Sequence, residues 1–425
     1  MQWALIIALF FLTVYPREKL LIGDSSYVGI AGGGVTVSPY NLAVFGLAAL
    51  VTPWALVSGR PVIPRVAWVF VVTVLFAAVT VWPHDAIRAG GVIHWLAAVA
   101  AWFSGSVLAT RALASQRGLR MLAFAILTIA SIELAVSLAQ LAGVEINPTG
   151  QEYLKGRTNG TMGHPGDEGK NLFLLFVVCL ALLPIGDRRT RRITWLAAAV
   201  LVVPLALSQG RANIIAVVFA VLLWAALSPG TSVRGMKTAR WLIPALVLLS
   251  IAPVATVLQE RFQEDPSGGP RGHLTEVGLH QISTSPFAGT GPNGYIQVVS
   301  QYDRYAADFN FPVHNAFLLT TAELGIFCAV LLWSVVGTAV WQAWKRRRNS
   351  GRSGAFARAL IAATPGMFVI LYTGWGGIAR SVLLLTWFLL GIFYSQLHAV
   401  EESPPEAVRS AAGEPQPRTT SALLE

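Results

Sequence analysis

Charged side chains are scarce in this chain. Only 12% of its 425 residues are Asp, Glu, Lys or Arg, whereas 54% are hydrophobic. A soluble globular protein carries about 25% charged residues, because its surface faces water on every side. The composition therefore excludes an ordinary soluble domain and predicts a polytopic helical membrane protein.

Cysteine is rarer still, and the N-terminus lacks the features of a secretion signal. The two cysteines, Cys179 and Cys328, both fall inside apolar runs, so we expect packing roles and no structural disulfide. Met1-Gln2 carries no basic segment, and no small-residue cleavage site follows the first apolar run. No cleavable signal peptide is therefore expected.

What the chain does have is apolar sequence long enough to cross a bilayer, which takes about 20 helical residues. Such runs, some of them short or uncertain at their ends, occur at 2–15, 40–58, 66–82, 91–110, 121–143, 170–185, 193–208, 212–228, 241–258, 314–343, 358–373 and 380–398. This pattern predicts an all-α polytopic membrane protein with about twelve transmembrane helices over residues 1–400. The remainder, 401–425, is rich in Pro, Glu, Ser and Ala and is predicted to be a disordered cytoplasmic tail.

Basic residues set the predicted orientation. The formal net charge is +10, which at first suggests a nucleic-acid partner. Most of the 31 Lys and Arg residues, however, fall in alternate connections and in the tail, with dense groups at 188–192 and 345–348. The positive-inside rule then places both termini in the cytoplasm. Because the basic excess serves to orient the protein, no nucleic-acid partner is predicted.

The longest polar interruption spans residues 259–313, between the ninth and tenth predicted helices. Its charged residues are too costly for hydrocarbon, and its aromatic residues argue against disorder. The predicted topology places this loop on the outer face. Within it, residues 272–283 are predicted to form an amphipathic helix, and the sequence SPFAGTGPNG a compact turn. Structured loops of this length are usually functional.

Arginines stand at the outer ends of several predicted helices. Arg157 precedes the sixth helix, Arg211 lies in the turn between the seventh and eighth, and Arg271 opens the amphipathic segment. Guanidinium groups bind phosphate oxygens through paired donors, so the pattern suits a lipid diphosphate at headgroup level. The alternative is that these arginines only anchor the protein to ordinary lipid headgroups.

One histidine, His314, lies where the large loop ends and the tenth predicted helix begins. A helix N-terminus disfavours the protonated imidazole, which leaves a neutral base able to accept a proton from a sugar hydroxyl. The alternative is a histidine that only caps the helix. Glu323, in the same apolar run, and Glu133, in the fifth, are intramembrane carboxylates and functional candidates by default.

A metal site is the weaker possibility. His273, Glu276 and His280 recur at positions i, i+3 and i+7 of the amphipathic segment. Catalytic zinc sites use three ligands at better-defined spacings, and this pattern is not H-E-x-x-H. We therefore predict no metal and no cofactor, and keep these three residues as the alternative.

Four segments carry a family resemblance. They are GRTNGTMGHPG at 156–166, SQGRAN at 208–213, RGHLTEVGLHQISTSPFAGTGPNGY at 271–295 and PVHNAFLLTTAELGIFCAVLL at 312–332. They resemble segments of the bacterial O-antigen ligases and of the related O-antigen and exopolysaccharide polymerases. The resemblance lies in their order along the chain, in the side of the membrane on which they are predicted to lie and in their placement relative to the loops. The motifs cover roughly residues 119–345, and the rest of the chain matches by topology alone.

The resemblance implies a metal-independent, inverting glycosyltransferase of the bacterial cytoplasmic (inner) membrane, with its active site on the outer face. Such enzymes take a glycan from undecaprenyl diphosphate and pass it to an acceptor hydroxyl. The acceptor is the lipid A core of lipopolysaccharide for ligases and a second lipid-linked glycan for polymerases. Carried onto this chain, Arg157, Arg211 and Arg271 would hold the diphosphate, and His314 would act as base or orient the acceptor.

The chain departs from the family pattern at one place. It has His164-Pro165-Gly166 where many relatives have Asn-Pro-Asn. His164 is therefore kept, with Glu323, as a substrate-binding candidate whose role stays open. The resemblance leaves the donor glycan, the acceptor and the choice between ligase and polymerase unspecified.

A transporter or flippase is the rival from another class, because it too has about twelve helices and polar groups near the midplane. Transporters of that kind have paired broken helices in two related halves, and no such pairing is evident in this sequence. A large outer loop that ends in a histidine favours the transferase.

Overall fold

The structure is a computed structural model of the chain, and it describes residues 1–14, 38–58, 63–82, 85–146, 156–228 and 270–399. Over these residues the chain forms helices and turns and no strand. The predicted ninth helix at 241–258, the first part of the predicted outer loop at 259–269 and the predicted tail at 401–425 lie outside the described residues.

The described helices follow the apolar runs, except for three that lie within the large polar loop. In chain order they are α1 (Gln2–Val14), α2 (Pro39–Ser58), α3 (Arg65–Thr80), α4 (Ala86–Ala112), α5 (Gln116–Leu141), α6 (Pro165–Leu182), α7 (Arg188–Leu207), α8 (Arg211–Leu227), α9 (Arg271–Thr284), α10 (Tyr295–Val299), α11 (Arg304–Phe309), α12 (Ala316–Arg346), α13 (Gly351–Tyr372) and α14 (Arg380–Leu397). A single 3₁₀ turn at Gly376–Ile378 precedes α14.

Six of these helices, α2, α4, α5, α7, α12 and α13, are long and apolar enough to cross a membrane. Shorter apolar helices at α1, α3, α8 and Val382–Leu397 extend the same pattern. The all-helical, multi-pass architecture is therefore confirmed, whereas the predicted number of twelve spans is not established by the described residues. The run predicted at 170–185 belongs to α6, which begins earlier, at Pro165, with charged residues in its first two turns.

Polar residues in the connections fix where several helices begin. The side chains of Asp85, Ser115, Asp187 and Asn315 each accept a hydrogen bond from a backbone N–H in the first turn of α4, α5, α7 and α12, respectively. Such caps satisfy donors that have no partner inside the helix. The start of α12, directly after His314, is fixed in this way.

Hydrogen bonds between connections define the two ends of the bundle. At one end, Gln116 Nε2 donates to the Ile185 carbonyl (3.0 Å), and Ser353 Oγ donates to the Leu397 carbonyl (2.9 Å). The arginines of 188–192 begin α7 at this end, so we call it the basic end.

The opposite end, called here the loop end, carries the described part of the large loop. Trp82 Nε1, just after α3, donates to the Ala288 carbonyl (2.7 Å). The Thr158 N–H, ahead of α6, donates to the Leu207 carbonyl at the end of α7 (3.4 Å). The segments ahead of α6, α8, α9 and α12, which contain the predicted site residues, therefore meet at this end.

Candidate functional site

The amphipathic helix predicted at 272–283 is present as α9, Arg271–Thr284. Its buried face, which includes Leu274 and Val277, packs towards α12. At Gly278 an added Cβ would lie 3.2 Å from the side chain of Val313, so the helix rests directly on the residue before His314. This packing fixes the described end of the large loop beside His314.

His314 has a defined tautomer. Its Nδ1 lies 3.1 Å from the carbonyl oxygen of Pro312. Because a carbonyl can only accept, Nδ1 carries the proton, and Nε2 keeps its lone pair. The ring is half-buried and stands edge-on to Phe311, with centroids 5.9 Å apart. Nε2 is therefore the basic atom that the site offers.

The surroundings of His314 keep it neutral. Burial and, after it, the positive charges of Arg271 and Lys170 lower the pKa of His314 to about 4, although the hydrogen bond to the Pro312 carbonyl offsets part of their effect. An ordinary imidazole titrates near 6.5. The base is thus unprotonated at neutral pH, and two cations act on it.

Lys170, one of those cations, is a site residue that was not predicted from the sequence. It lies in the second turn of α6, is only 13% exposed, and pairs with Asp167 Oδ1 at 3.1 Å. A Cβ placed at Gly376 would collide with its Nζ, so the 3₁₀ turn before α14 covers it. A sequence signal was present, since a lysine at the start of an apolar run on the predicted outer side opposes the bias of basic residues towards the cytoplasm.

Arg157 and Arg211 are brought together by the turn between α7 and α8. Arg157 Nε donates to the Ser208 carbonyl (2.9 Å), and Gln209 Nε2 donates to the Gly156 carbonyl (3.1 Å). Arg211 is the first residue of α8, three positions after Ser208. The two predicted phosphate-binding arginines therefore share one corner of the loop end.

The start of α6 connects this corner to Lys170. Asn213 Nδ2, in the first turn of α8, lies 3.3 Å from the Gly166 carbonyl, and a Cβ placed at Gly169 would collide with the same amide. His164 caps α6, with its Nδ1 accepting from the Gly166 N–H at 3.1 Å. The first two turns of α6 thus contact the Arg211 corner and carry Lys170, whose charge acts on His314.

Two buried carboxylates hold the segment that carries Arg157. Glu133 accepts from the Thr161 N–H (2.9 Å) and from Thr161 Oγ1 (2.6 Å). Glu168 accepts from Ser137 Oγ (2.8 Å) and Thr158 Oγ1 (3.4 Å). Each carboxylate is 1% exposed. Glu133, whose role the sequence left open, is thereby placed as a support for this segment.

The compact turn predicted at SPFAGTGPNG fits into a break in α12. Gly325 interrupts the helix with φ 74° and ψ 163°. Around the break, the Ile326 N–H donates to the Pro286 carbonyl (2.8 Å) and the Thr290 N–H to the Ala322 carbonyl (2.9 Å). We call residues 286–297 the docked turn.

Glu323 and Arg88 hold the docked turn from two sides. The backbone N–H groups of Asn293 and Tyr295 hydrogen-bond to the Glu323 carboxylate, which is 1% exposed. Arg88, at the start of α4, donates to the Thr290 carbonyl (2.7 Å) and to Gln297 Oε1 (3.1 Å). The structure thus places Glu323 beneath the docked turn, inside the protein.

The structure does not bring together the three residues kept as an alternative metal site. His273 Nε2 lies 2.7 Å from Asp303 Oδ2, and His280 stands edge-on to Tyr302, with centroids 5.5 Å apart. Glu276 is exposed. Within the described ranges no group of three His, Cys, Asp or Glu side chains is placed to hold a metal ion.

An apolar cavity of about 630 Å³ runs beside α12. Its lining includes Phe317, three residues after His314, and Trp344, near the basic end. Phe368 of α13 and Gly377 of the 3₁₀ turn complete its wall near the loop end. The cavity is therefore a groove that begins next to His314 and next to the 3₁₀ turn that covers Lys170. Its apolar lining is what a lipid chain needs.

A family model described as O-antigen ligase matches residues 192–333. The matched region includes Arg211, Arg271, His314 and Glu323, and it ends inside α12. No curated protein matches this chain. The family indicates a glycosyltransferase-like ligase or polymerase activity on lipid-linked glycans in a bacterial membrane. The match covers about a third of the chain, and over that region it confirms the resemblance to the O-antigen ligases that the sequence motifs predicted.

Proposed function

We propose that the protein moves a glycan from undecaprenyl diphosphate to an acceptor sugar hydroxyl at the outer face of the cytoplasmic membrane. The observation that carries this proposal is the setting of His314. It offers a neutral Nε2 at the start of a membrane helix, under the influence of Arg271 and Lys170. A base beside cations suits a reaction that deprotonates a hydroxyl while a diphosphate leaves.

The proposed step is a single displacement. The acceptor oxygen attacks C1 of the donor sugar from the side opposite the diphosphate, and its proton passes to His314 Nε2. The C1–O bond to the diphosphate breaks, and its electron pair stays on the diphosphate oxygen. The configuration at C1 is inverted, and undecaprenyl diphosphate is the second product.

In this proposal the cations stabilise the leaving diphosphate. Arg157 and Arg211 form one corner, Arg271 and Lys170 the side near His314, and all four act on charge that grows as the bond breaks. Fixed guanidinium and ammonium groups supply this countercharge, so the step requires no divalent metal. Chelators are therefore expected to leave the rate unchanged.

The donor also explains how so weak a base becomes effective. In the free protein, the pKa of about 4 reflects burial first and the two cations second. A bound diphosphate cancels much of the cationic repulsion, so the pKa of His314 rises when donor binds. Proton acceptance is then strongest when the substrate is present.

The groove beside α12 supports a lipid-linked donor. Its outer part, at Phe317 and Gly377, adjoins His314 and the turn over Lys170. A polyprenyl chain in this groove would leave its diphosphate among the cations. His164 and Glu323 remain proposed substrate-binding residues. His164 lies at the same helix start as Lys170, whereas Glu323 would act indirectly, by holding the docked turn above it.

A transfer assay with purified protein tests the proposal. Protein in lipid nanodiscs is supplied with undecaprenyl-diphosphate-linked glycan, and free undecaprenyl diphosphate and the new glycoside are measured. Parallel reactions offer lipid A core or a second lipid-linked glycan, because ligase and polymerase differ only in acceptor. Movement of intact donor across proteoliposomes with no release of undecaprenyl diphosphate would identify a transporter instead.

Labelling of single cysteines tests the proposed orientation, with the loop end outside and both termini inside. Ser283, on α9, and Ser350, ahead of α13, are exposed at opposite ends of the bundle. Ser283→Cys should react with a membrane-impermeant thiol reagent in intact cells, and Ser350→Cys only after lysis. The native cysteines are buried and give little background. The reverse labelling pattern would show that the topology is opposite to the one proposed.

A further inference from the structure

A series of aromatic rings leads across the loop end to His314. The ring centroids of Tyr305 and Phe309 are 4.6 Å apart, those of Phe309 and Phe311 6.2 Å, and those of Phe311 and His314 5.9 Å. The planes of Phe309 and Phe311 differ by only 20°. We call Tyr305, Phe309 and Phe311 the aromatic ladder.

The local backbone builds the ladder. Helix α11 ends at Phe309, and Asn310 adopts a left-handed conformation (φ 52°, ψ 35°), which asparagine tolerates better than most residues. The chain turns there, so that the next ring, Phe311, lies beside Phe309. At the other end of α11, Asp303 accepts from the Ala306 N–H (2.8 Å) and contacts His273. The rings are therefore fixed to α11 and α9.

The ladder is open to solvent and flanked by polar groups. Phe309 is 55% exposed, and Tyr305 and Phe311 are half-buried. Asp308 and Asn310, on either side of Phe309, are both exposed. An exposed aromatic ring with a carboxylate and an amide at the neighbouring positions of the chain suits a sugar, because a pyranose has faces rich in C–H groups and a rim of hydroxyls.

We propose that the aromatic ladder binds pyranose rings of the glycan beside the bond that is formed. This inference rests on the proposed transfer reaction. The negative π face of an aromatic ring attracts the weakly positive C–H face of a sugar, and the Asp308 and Asn310 side chains can bond its hydroxyls. Because the ladder ends at His314, a sugar bound on it lies next to the proton acceptor.

The flanking residues favour a glycan over a membrane surface. Aromatic residues also anchor proteins at the bilayer interface. Insertion of Phe309 would, however, bring the adjacent Asp308 carboxylate to the level of the lipid phosphates, where like charges repel. Glycan stacking keeps Asp308 in water and gives it a hydrogen-bonding role.

Substitution at Phe309 tests the ladder in the full-length protein in nanodiscs. Phe309→Leu keeps an apolar side chain and removes the π face, and Phe309→Trp restores one. Phe309→Leu should raise the KM of the substrate whose glycan the ladder binds about three- to tenfold, as expected for one lost aromatic contact, with kcat little changed and with recovery in Phe309→Trp. Phe287→Ala is the matched control, since that exposed aromatic side chain (81%) lies outside the ladder.

Two sets of reactions distinguish the source of the sugar. One varies acceptor at saturating donor, and the other compares donors that carry one repeat unit or a long glycan. A KM change in the first set assigns the ladder to the acceptor, and a change confined to the long-glycan donor assigns it to the donor chain. Unchanged constants in both sets, or equal changes in Phe287→Ala, would overturn the proposal.

Direct binding separates this inference from the proposed function. If the wild-type protein transfers no glycan, oligosaccharides released from the host bacterium's surface polysaccharide can still be titrated by saturation-transfer NMR. Binding that Phe309→Leu weakens and Phe309→Trp restores supports the ladder regardless of the reaction. No binding to wild type, or equal binding to wild type and Phe309→Leu, contradicts it.

Discussion

The docked turn at 286–297 and the stretch from Asp303 to His314 belong to the same loop between membrane helices, but they differ in how they are held. In the docked turn, Asn293 and Tyr295 are each 1% exposed, and the backbone is bonded to α4 and α12. In the later stretch, Phe309 is 55% exposed and His314 keeps an accepting nitrogen. The first part is anchored in the protein, although Phe287 remains exposed, and the second presents its functional side chains to the surroundings.

This difference indicates a division of labour. A reactive group needs a rigid support to hold its geometry, and the docked turn supplies one by tying the first part of α12 to α4. The open stretch then presents the base and the aromatic ladder without having to stabilise the fold. Substitutions in the two parts should therefore affect different measurements, stability for the docked turn and transfer for the open stretch.

Replacing His314 should have the largest effect. His314→Ala removes the proton acceptor and should lower kcat by about a hundredfold or more, while the folded yield and the affinity for donor stay near wild type because the cations remain. Rates of glycoside formation and binding of labelled undecaprenyl diphosphate give the two measurements.

The control for this variant is His280→Ala, on the exposed face of α9. It should keep transfer within about twofold, since surface substitutions rarely matter. An active His314→Ala protein, or one that no longer binds undecaprenyl diphosphate, would remove the assigned role. Loss of activity in His280→Ala, with rescue by a divalent cation, would revive the metal alternative.

Arg211→Lys tests the phosphate-binding corner next. Lysine keeps the charge but loses the two-pronged contact, so kcat/KM should fall about ten- to a hundredfold, the equivalent of 1.5–3 kcal/mol for a charged hydrogen bond. Arg304→Lys, an exposed arginine of α11, serves as control and should be neutral. If Arg211→Ala has wild-type kinetics at equal protein levels, Arg211 is only a membrane anchor.

Gly325→Ala should reduce the stability of the protein more than its rate of transfer. The φ and ψ of Gly325 are nearly exclusive to glycine, and an added Cβ would collide with the Phe287 carbonyl. We expect a loss of about 1–3 kcal/mol in the free energy of unfolding, seen as a lower melting temperature in detergent, with less than a tenfold change in the rate per folded molecule.

Gly337→Ala, later in the same helix, is the matched control for stability. A Cβ there meets nothing within 4 Å, and alanine has the higher helix propensity, by about 1 kcal/mol. The control should be as stable as wild type or slightly more so. Equal melting temperatures for all three proteins would mean that the break in α12 carries no strain and that the docked turn is not the support described above.

Local sequence patterns predicted much of this end of the molecule. Apolar runs located the described helices, amphipathicity located α9, and a glycine-rich stretch located the docked turn, because each depends on neighbours in the chain. The break at Gly325 could not be predicted, since a turn some 35 residues earlier in the chain makes it. The position of Lys170 against the orienting bias is visible in the sequence, but its burial is not, because the turn that covers it, at Gly376, lies far along the chain.

The pH dependence of kcat/KM tests the central claim most directly, because this ratio reports ionisation of the free enzyme. With a His314 pKa of about 4, the wild-type rate should hold down to about pH 5 and fall below it as the base is protonated. An imidazole with its ordinary pKa of 6.5 would already have lost about 90% at pH 5.5. Lys170→Gln removes one repelling cation, so it should move the fall to higher pH. A rate that falls near pH 6.5 in wild type, that does not respond to Lys170→Gln, or whose acid limb persists unchanged in the residual activity of His314→Ala would contradict the account.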